Sequence, residues 1–139
     1  MPKGPTTQTE MLKVLFLSNF DPTWRTNAKV YVSLHTADPS AGNQLSSEAT
    51  YASYDRVEMN KTAGGWTIAT NTSKNAVAIV FPKCTGAGGA ACTHIAVGTV
   101  DKITGGGQIL VCGPLDDSLA VANLIRPQFD INALVATET

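Results

Sequence analysis

The sequence predicts an all-β protein, an antiparallel jelly-roll or β-sandwich with one short N-terminal helix. Three observations carry this prediction. From Lys29 onward apolar and polar residues alternate with period 2; about eight short runs rich in Val, Ile and Thr follow at close spacing; and clusters of Gly, Pro, Asn and Asp, rather than helical segments, separate them. At 139 residues the chain has the length of one domain, which buries roughly two-thirds of the surface its unfolded form exposes.

The elements follow in order. Residues 1–6 carry two prolines and a glycine and read as an extended N-terminal arm of the kind that reaches a neighbour. Residues 7–139 read as a single β-sandwich domain. Thr7 and Glu10 have the spacing of a capping box, and Met11, Leu12, Leu15 and Phe16 form one apolar face, which predicts a short helix ending near Ser18 or Asn19 before Asp21-Pro22. In KVYVSLHT, Val30, Val32 and Leu34 point one way and Tyr31, Ser33 and His35 the other, as in a half-buried strand. ADPSAGNQLSSEA then reads as a long exposed loop. Further strands are expected at SYDRVEMN, GWTIATN, NAVAIVFP, CTHIAVGTV, QILVCGPL, SLAVA and QFDINALVAT. Turns are expected at Gly64-Gly65, Lys74-Asn75, Gly86 to Gly89, Gly105 to Gly107 and Asp116-Asp117.

Composition narrows the function classes. The chain is 43% hydrophobic and 15% charged, against about 25% charged in an average domain. Such a surface suits a protein that sits against other subunits. Ten basic residues balance eleven acidic ones and are scattered singly, so phosphate neutralisation has no footprint and no nucleic-acid partner is expected. The N-terminus lacks the apolar region of a signal peptide and MLKVLFL is too short to span a bilayer, so a soluble protein made in the cytoplasm, with no membrane partner, is expected. Cys84, Cys92 and Cys112 form no C-x-x-C pair and read as reduced thiols.

The motifs with chemical potential resolve toward structure. In TGAGGAA, residues Gly86, Gly88 and Ala91 match the spacing of a dinucleotide-binding turn, but the following CTHIAVGTV is a β-branched alternating run. A hairpin connection is therefore expected, with no cofactor. The glycines at 105–107 lack the Lys-Ser/Thr ending of a phosphate-binding loop. Cys92, His94 and Cys84 fall short of the four ligands of structural zinc, so no metal site is expected. His35 and His94 are the candidate general bases; Ser33 shares a strand face with His35, yet no nucleophile elbow or orienting acid accompanies them. No catalytic residue is assigned and the protein is read as a non-enzyme. Trp66 reads as a strand-end core residue, whereas Trp24 in DPTWRTN is a candidate interface anchor. The candidate partner-interface residues are Pro2, Lys3 and Pro5 in the arm, Trp24, and Asp38, Pro39, Asn43 and Leu45 in the long loop.

One extended pattern goes further. VSLHTADP at Val32 to Pro39, an acidic residue at Glu48, and Tyr54-x-Arg56-Val57 resemble a group of small structural proteins of tailed bacteriophages. Downstream, Trp66, Asn75 to Pro82, Gly86 to Gly89, Thr93 to Gly98, Gly105 to Gly107, Gly113-Pro114-Leu115 and Pro127 to Phe129 continue the resemblance, which spans about Val30 to Phe129. In length and composition the chain looks most like the capsid cement or decoration proteins of short-tailed phages, of the Bordetella phage cementing type. That likeness implies a jelly-roll subunit, a homodimer, bound to the major capsid protein on the exterior of an HK97-type capsid and clamping its neighbours. The alternative is a tail- or fibre-associated protein that binds a host surface.

Overall fold

The architecture is antiparallel β with a short N-terminal helix, but the run KVYVSLH is buried on both faces rather than half-buried, since Ser33 and His35 are as enclosed as Val32 and Leu34. The computed structural model describes residues 1–138. In chain order the elements are helices α1 (Pro5–Phe16) and α2 (Thr23–Thr26), then strands β1 (Lys29–His35), β2 (Val57–Asn60), β3 (Trp66–Ala69), β4 (Thr72–Asn75), β5 (Ile79–Val80), β6 (Cys92–Gly98), β7 (Ile109–Leu119), β8 (Gln128–Phe129) and β9 (Val135–Thr137). The strands form a four-stranded sheet in the order β2-β1-β6-β7, a three-stranded sheet β3-β4-β9 and the ribbon β5-β8. Every pairing is antiparallel.

The large sheet supplies the core. Val30, Val32 and Leu34 of β1 lie in one buried apolar cluster with Met59, Ile95 and Val97 of neighbouring strands. Ile79 and Phe81 around β5 and Tyr51 and Tyr54 of the β1–β2 connection join that cluster. The aromatic rings set its geometry: Tyr54 stacks near-parallel on Phe81 at 6.3 Å between centroids, and Tyr51 and Phe129 meet these two edge-on at 5.2 and 6.2 Å. On the sheet's other face Ser33, Ala96 and Cys112 stand opposite one another across β1, β6 and β7. The loop after β1 covers part of this face: the Gln44 side chain lies against Gly98 and Gly107, and Ser46 O lies 2.8 Å from His35 Nδ1. Gln44 and Pro39 of that loop are fully buried.

Several local expectations are corrected. The segment 1–6 is not a free arm. Its first residues run along the edge of β7, where Cys112 N–H donates to Pro2 O (2.9 Å) and Gly4 N–H to Ile109 O (3.1 Å). Lys3 pairs with Glu138 at 2.7 Å and the Met1 amine donates to Thr137 O at 3.1 Å. An edge strand with unpaired groups attracts such a cover, and the flanking prolines prevent the pairing from extending. The helix begins at Pro5, the favoured first helical position, with Gly4 as N-cap. Thr7 is thus inside the helix, and its hydroxyl donates to Ile109 O at 2.5 Å instead of capping.

Lys74-Asn75 is strand rather than turn. The hairpin reverses at Thr70, which adopts a left-handed φ of 55°, and Asn71. β4 then pairs on both sides, with β3 and β9, although its residues TSKN are polar. Within NAVAIVFP, Asn75 ends β4 and only Ile79 and Val80 form a further strand. The buried Asn75 amide donates to Val77 O (2.8 Å) and Asp130 O (2.9 Å) and accepts from Leu134 N–H (2.9 Å), which holds the chain out of a longer ladder. Asp116-Asp117 is no turn between two strands. The β6–β7 register jumps from His94↔Pro114 to Cys92↔Leu119, so Leu115 to Ser118 bulge out within one strand and leave both carboxylates exposed.

Candidate interaction surface

Polar residues meet in an enclosed clasp behind the sheet. Arg56, its side chain fully buried, donates from Nε to Glu48 Oε1 (2.7 Å) and from one terminal nitrogen to Glu48 Oε2 (2.9 Å). Its other terminal nitrogen donates to the carbonyls of Val100, Asp101 and Gly105 at 3.0, 2.8 and 2.8 Å. Tyr54 Oη donates to Glu48 Oε1 and accepts from Leu34 N–H; burial and the adjacent carboxylate push its phenol far up. Gln44 completes the clasp, donating to Val100 O (3.2 Å) and accepting from Val100 N–H (3.1 Å). These bonds fix the loop at 36–47 and the loop at 99–107 against the sheet. The long loop is therefore ordered and half-interior, not a mobile excursion.

Ser33 and His35 have the hydrogen bond a catalytic pair requires, 2.8 Å from Oγ to Nε2, and His35 Nδ1 lies 2.8 Å from Ser46 O. With Nδ1 donating to that carbonyl, Nε2 accepts from the serine. Both side chains are entirely enclosed, so the serine oxygen faces no space in which a substrate carbonyl would stand. Burial lowers the pKa of His35. The pair is built as an internal brace.

The glycine-rich loop is a connection but not the expected hairpin: β5 pairs with β8 and β6 with β1 and β7, so the loop carries the chain from one sheet to another. Ala52 N–H donates to Ala87 O (2.9 Å) and Thr85 N–H to Ala52 O (3.2 Å). The Cys84 thiol points at the carbonyls of Gly86 and Ala87 at 3.3 and 3.5 Å. A Cβ on Gly88 would stand 1.7 Å from Val121 O, so glycine is needed there for close backbone approach. Cys84, Cys92 and Cys112 are buried free thiols. Among the described residues no three His, Cys, Asp or Glu side chains cluster as metal ligands.

Helix α1 presents an apolar surface outward. On α1, Leu12, Val14, Leu15, Phe16 and Leu17 at its C-cap are exposed, Leu15 by 70% and Phe16 by 78%. Of the expected apolar face only Met11 is half-buried; Leu12, Leu15 and Phe16 are left exposed. The helix is held by its first turns only: Gln108 Nε2 donates to Thr7 Oγ1 and to Glu10 Oε2, both 2.8 Å, and Trp24 Nε1 donates to Glu10 Oε2 at 2.6 Å. Trp24 is half-buried, with the Lys61 ammonium 5.7 Å from its ring. Beside the helix start, Gly4 and Thr6 line a 260 Å³ hollow with Gly42, Asn43 and residues 106–109. Exposed Leu45 lies over Gly106 on the same side of the molecule, and Ile103, 96% exposed, belongs to the adjoining loop.

Of the sequence-derived interface residues, Pro2, Pro5, Asp38, Asn43 and Leu45 are exposed, and Trp24 and Lys3 are half-exposed. Pro39 is corrected: it is fully buried beneath its own loop and offers nothing to a partner. Leu12, Leu15, Phe16 and Ile103 were not singled out as interface residues. The signal was present, since apolar residues at 11, 12 and 14–17 occupy all sides of the helix rather than one stripe.

A second apolar feature lies elsewhere. Met1, Leu115, Leu119, Phe129, Leu134 and Val135 line a groove of about 410 Å³, with Asp116 and Asp117 also on its wall.

The fold is a small antiparallel β scaffold with an internal polar clasp and an exposed apolar helix. Comparison with known families assigns it: the chain belongs to the Gp80 family, described as "Podophage GP4 fiber I protein gp80", whose family model matches residues 6–137. It is a phage structural protein of the virion. No curated protein matches the chain.

Proposed function

We propose that this chain is a structural subunit of a podophage fibre or of its attachment to the particle, acting by binding without turnover. The match of residues 6–137 to a family described as a fibre protein carries this reading. It favours the fibre alternative over the capsid-cement role to which the sequence resemblance pointed first. The outward apolar helix on a braced β body supports it further, because a subunit of this kind contributes free energy only in the assembled particle. Ser33 and His35, enclosed as they are, support binding rather than chemistry. The test is location: antibodies or gold labels against this chain on intact particles, together with fractionation of disrupted virions. Label at the fibres and co-migration with tail components is the expected result. Label distributed over the capsid lattice, with co-migration of the major capsid protein, would overturn the fibre reading and restore the cement one.

A further inference from the structure

We propose that copies of this chain associate head to tail, the C-terminal half of α1 of one copy lying in the groove beside Asp116 and Asp117 of the next. The donor and the receptor are chemically matched. The donor is apolar on all sides, as in a helix enclosed by its surroundings, and Lys13 is the one charged residue among its exposed last two turns. The receptor is floored by Leu115, Phe129 and Leu134 and carries two exposed carboxylates where the strand bulges. Charge and hydrophobicity therefore complement one another. The Met1 amine, the sole cation on the groove among the described residues, is engaged by Thr137 O.

Size agrees as well. A cavity of about 150 Å³ holds a benzene-sized group, so 410 Å³ admits two large side chains from one helix face, such as exposed Leu12 and Phe16 one turn apart. The helix residues expose on the order of 500 Å², taking roughly 200 Å² for each large apolar side chain. That is near the upper end for a free monomer surface and below the ~800 Å² per partner of a stable dimer. An association of moderate, concentration-dependent affinity follows, reinforced wherever copies are held side by side.

Polarity makes the contact intermolecular. Met1 lines the groove, and the chain runs from it antiparallel to β7, past Cys112 to Ile109, where α1 starts. The helix thus leaves from the far end of the segment that begins at the groove. Reaching its own groove would require breaking the Gly4–Ile109 and Gln108–Glu10 bonds. A donor at one end and a receptor at the other make a heterologous contact, which closes as a ring or continues as a filament. This differs from a twofold dimer, and it holds whether the particle location is fibre or capsid.

The test is the native mass of the full chain by sedimentation velocity from 1 to 100 µM, with folding checked by circular dichroism. Species larger than a monomer are expected to grow with concentration. Phe16→Asp, and separately Asp116→Lys with Asp117→Lys, change exposed positions only and should each weaken association at least tenfold. Mixing these two variants leaves one intact helix and one intact groove, so the mixture should form a dimer that stops there. Adding Lys13→Glu to the Asp116→Lys/Asp117→Lys chain should restore association. A wild-type chain that stays monomeric at 100 µM overturns the proposal. So does a groove variant that self-associates like wild type while Phe16→Asp does not, because that outcome means helix meets helix.

Discussion

Replacing Arg56 by alanine removes a guanidinium whose five hydrogen bonds are all made inside the protein. Two go to Glu48, whose carboxylate is 7% exposed, and three hold the carbonyls of the 99–105 stretch. The dominant loss is the carboxylate left in place without its cation, since breaking a buried pair by deleting one partner costs about 3–5 kcal/mol. The three carbonyls add less, because their loop lies near the surface and regains water. For a chain of this size one kcal/mol moves Tm by roughly 3–5 °C, so Arg56→Ala should melt about 10–20 °C below wild type. Arg56→Lys keeps the charge but loses the planar fork and should fall between. Thermal melts by circular dichroism read the loss, and a double-mutant cycle with Glu48→Gln should show strong coupling, the double variant costing less than the two singles summed. A fall of under about 3 °C for Arg56→Ala, or additive singles, would refute the account of the clasp.

Three further outcomes follow from the same geometry. His35 is neutral when folded, its pKa lowered by burial, and ordinary near 6.5 when unfolded. As pH drops below about 6.5 the unfolded chain takes up a proton that the folded chain refuses, so stability is full above that value and declines beneath it, by at most about 1.4 kcal/mol per pH unit. Urea titrations between pH 8 and 5 should show this slope, and His35→Asn should flatten it. Gly88→Ala should cost about 1–3 kcal/mol through the Val121 backbone clash, whereas Gly64→Ala, whose nearest contact is the Thr62 hydroxyl at 3.5 Å, should differ little; equal melts for the two would count against the tight approach. Burial pushes the Cys112 thiol up to about 11, so an Ellman-type reagent at pH 8 should label Cys112 at the rate of unfolding and no faster.

The fold was legible where one face of an element is buried by its own sheet. β1 and β6 alternate cleanly, because Val32 and Leu34, or Ile95 and Val97, enter the core while their neighbours face the opposite way. Legibility failed where partners distant in sequence decide. β4 is polar yet central, since pairing on both edges rather than side-chain burial makes it a strand. The loop after β1 has turn composition throughout, but Gln44 and Pro39 are fully buried, Gln44 against Gly98 and Gly107, a relation no local pattern records. The Glu48 and Arg56 positions of the phage-like pattern were visible as a motif, and their pairing explains the spacing: eight residues apart, they close the β1–β2 connection on itself. The helix and its apolar residues were legible, but not what covers them. Periodicity reports that a face needs cover without saying that the cover belongs to the same chain.

The way α1 is held bears directly on what it does. Its contacts are concentrated on Thr7 and Glu10, both reached by the Gln108 amide, which follows directly on the loop that Arg56 clamps. The β body therefore fixes the direction of the helix while leaving its last two turns free to meet a partner. Such preorganisation lowers the ordering cost of association. Gln108→Ala should unfasten this hinge without disturbing the core, because the side chain is half-exposed and touches no member of the main apolar cluster through its amide. Hydrogen exchange followed by mass spectrometry should show residues 5–16 losing most of their protection while β1 and β6 keep theirs, and Tm should shift by only a few degrees. Self-association should weaken several-fold in the same variant, since a loosened helix has to be ordered again on docking. Unchanged exchange in 5–16 would mean that the Gly4 and Thr7 bonds to Ile109 suffice to hold the helix. Lost protection with undiminished association would separate rigid presentation of the helix from its binding.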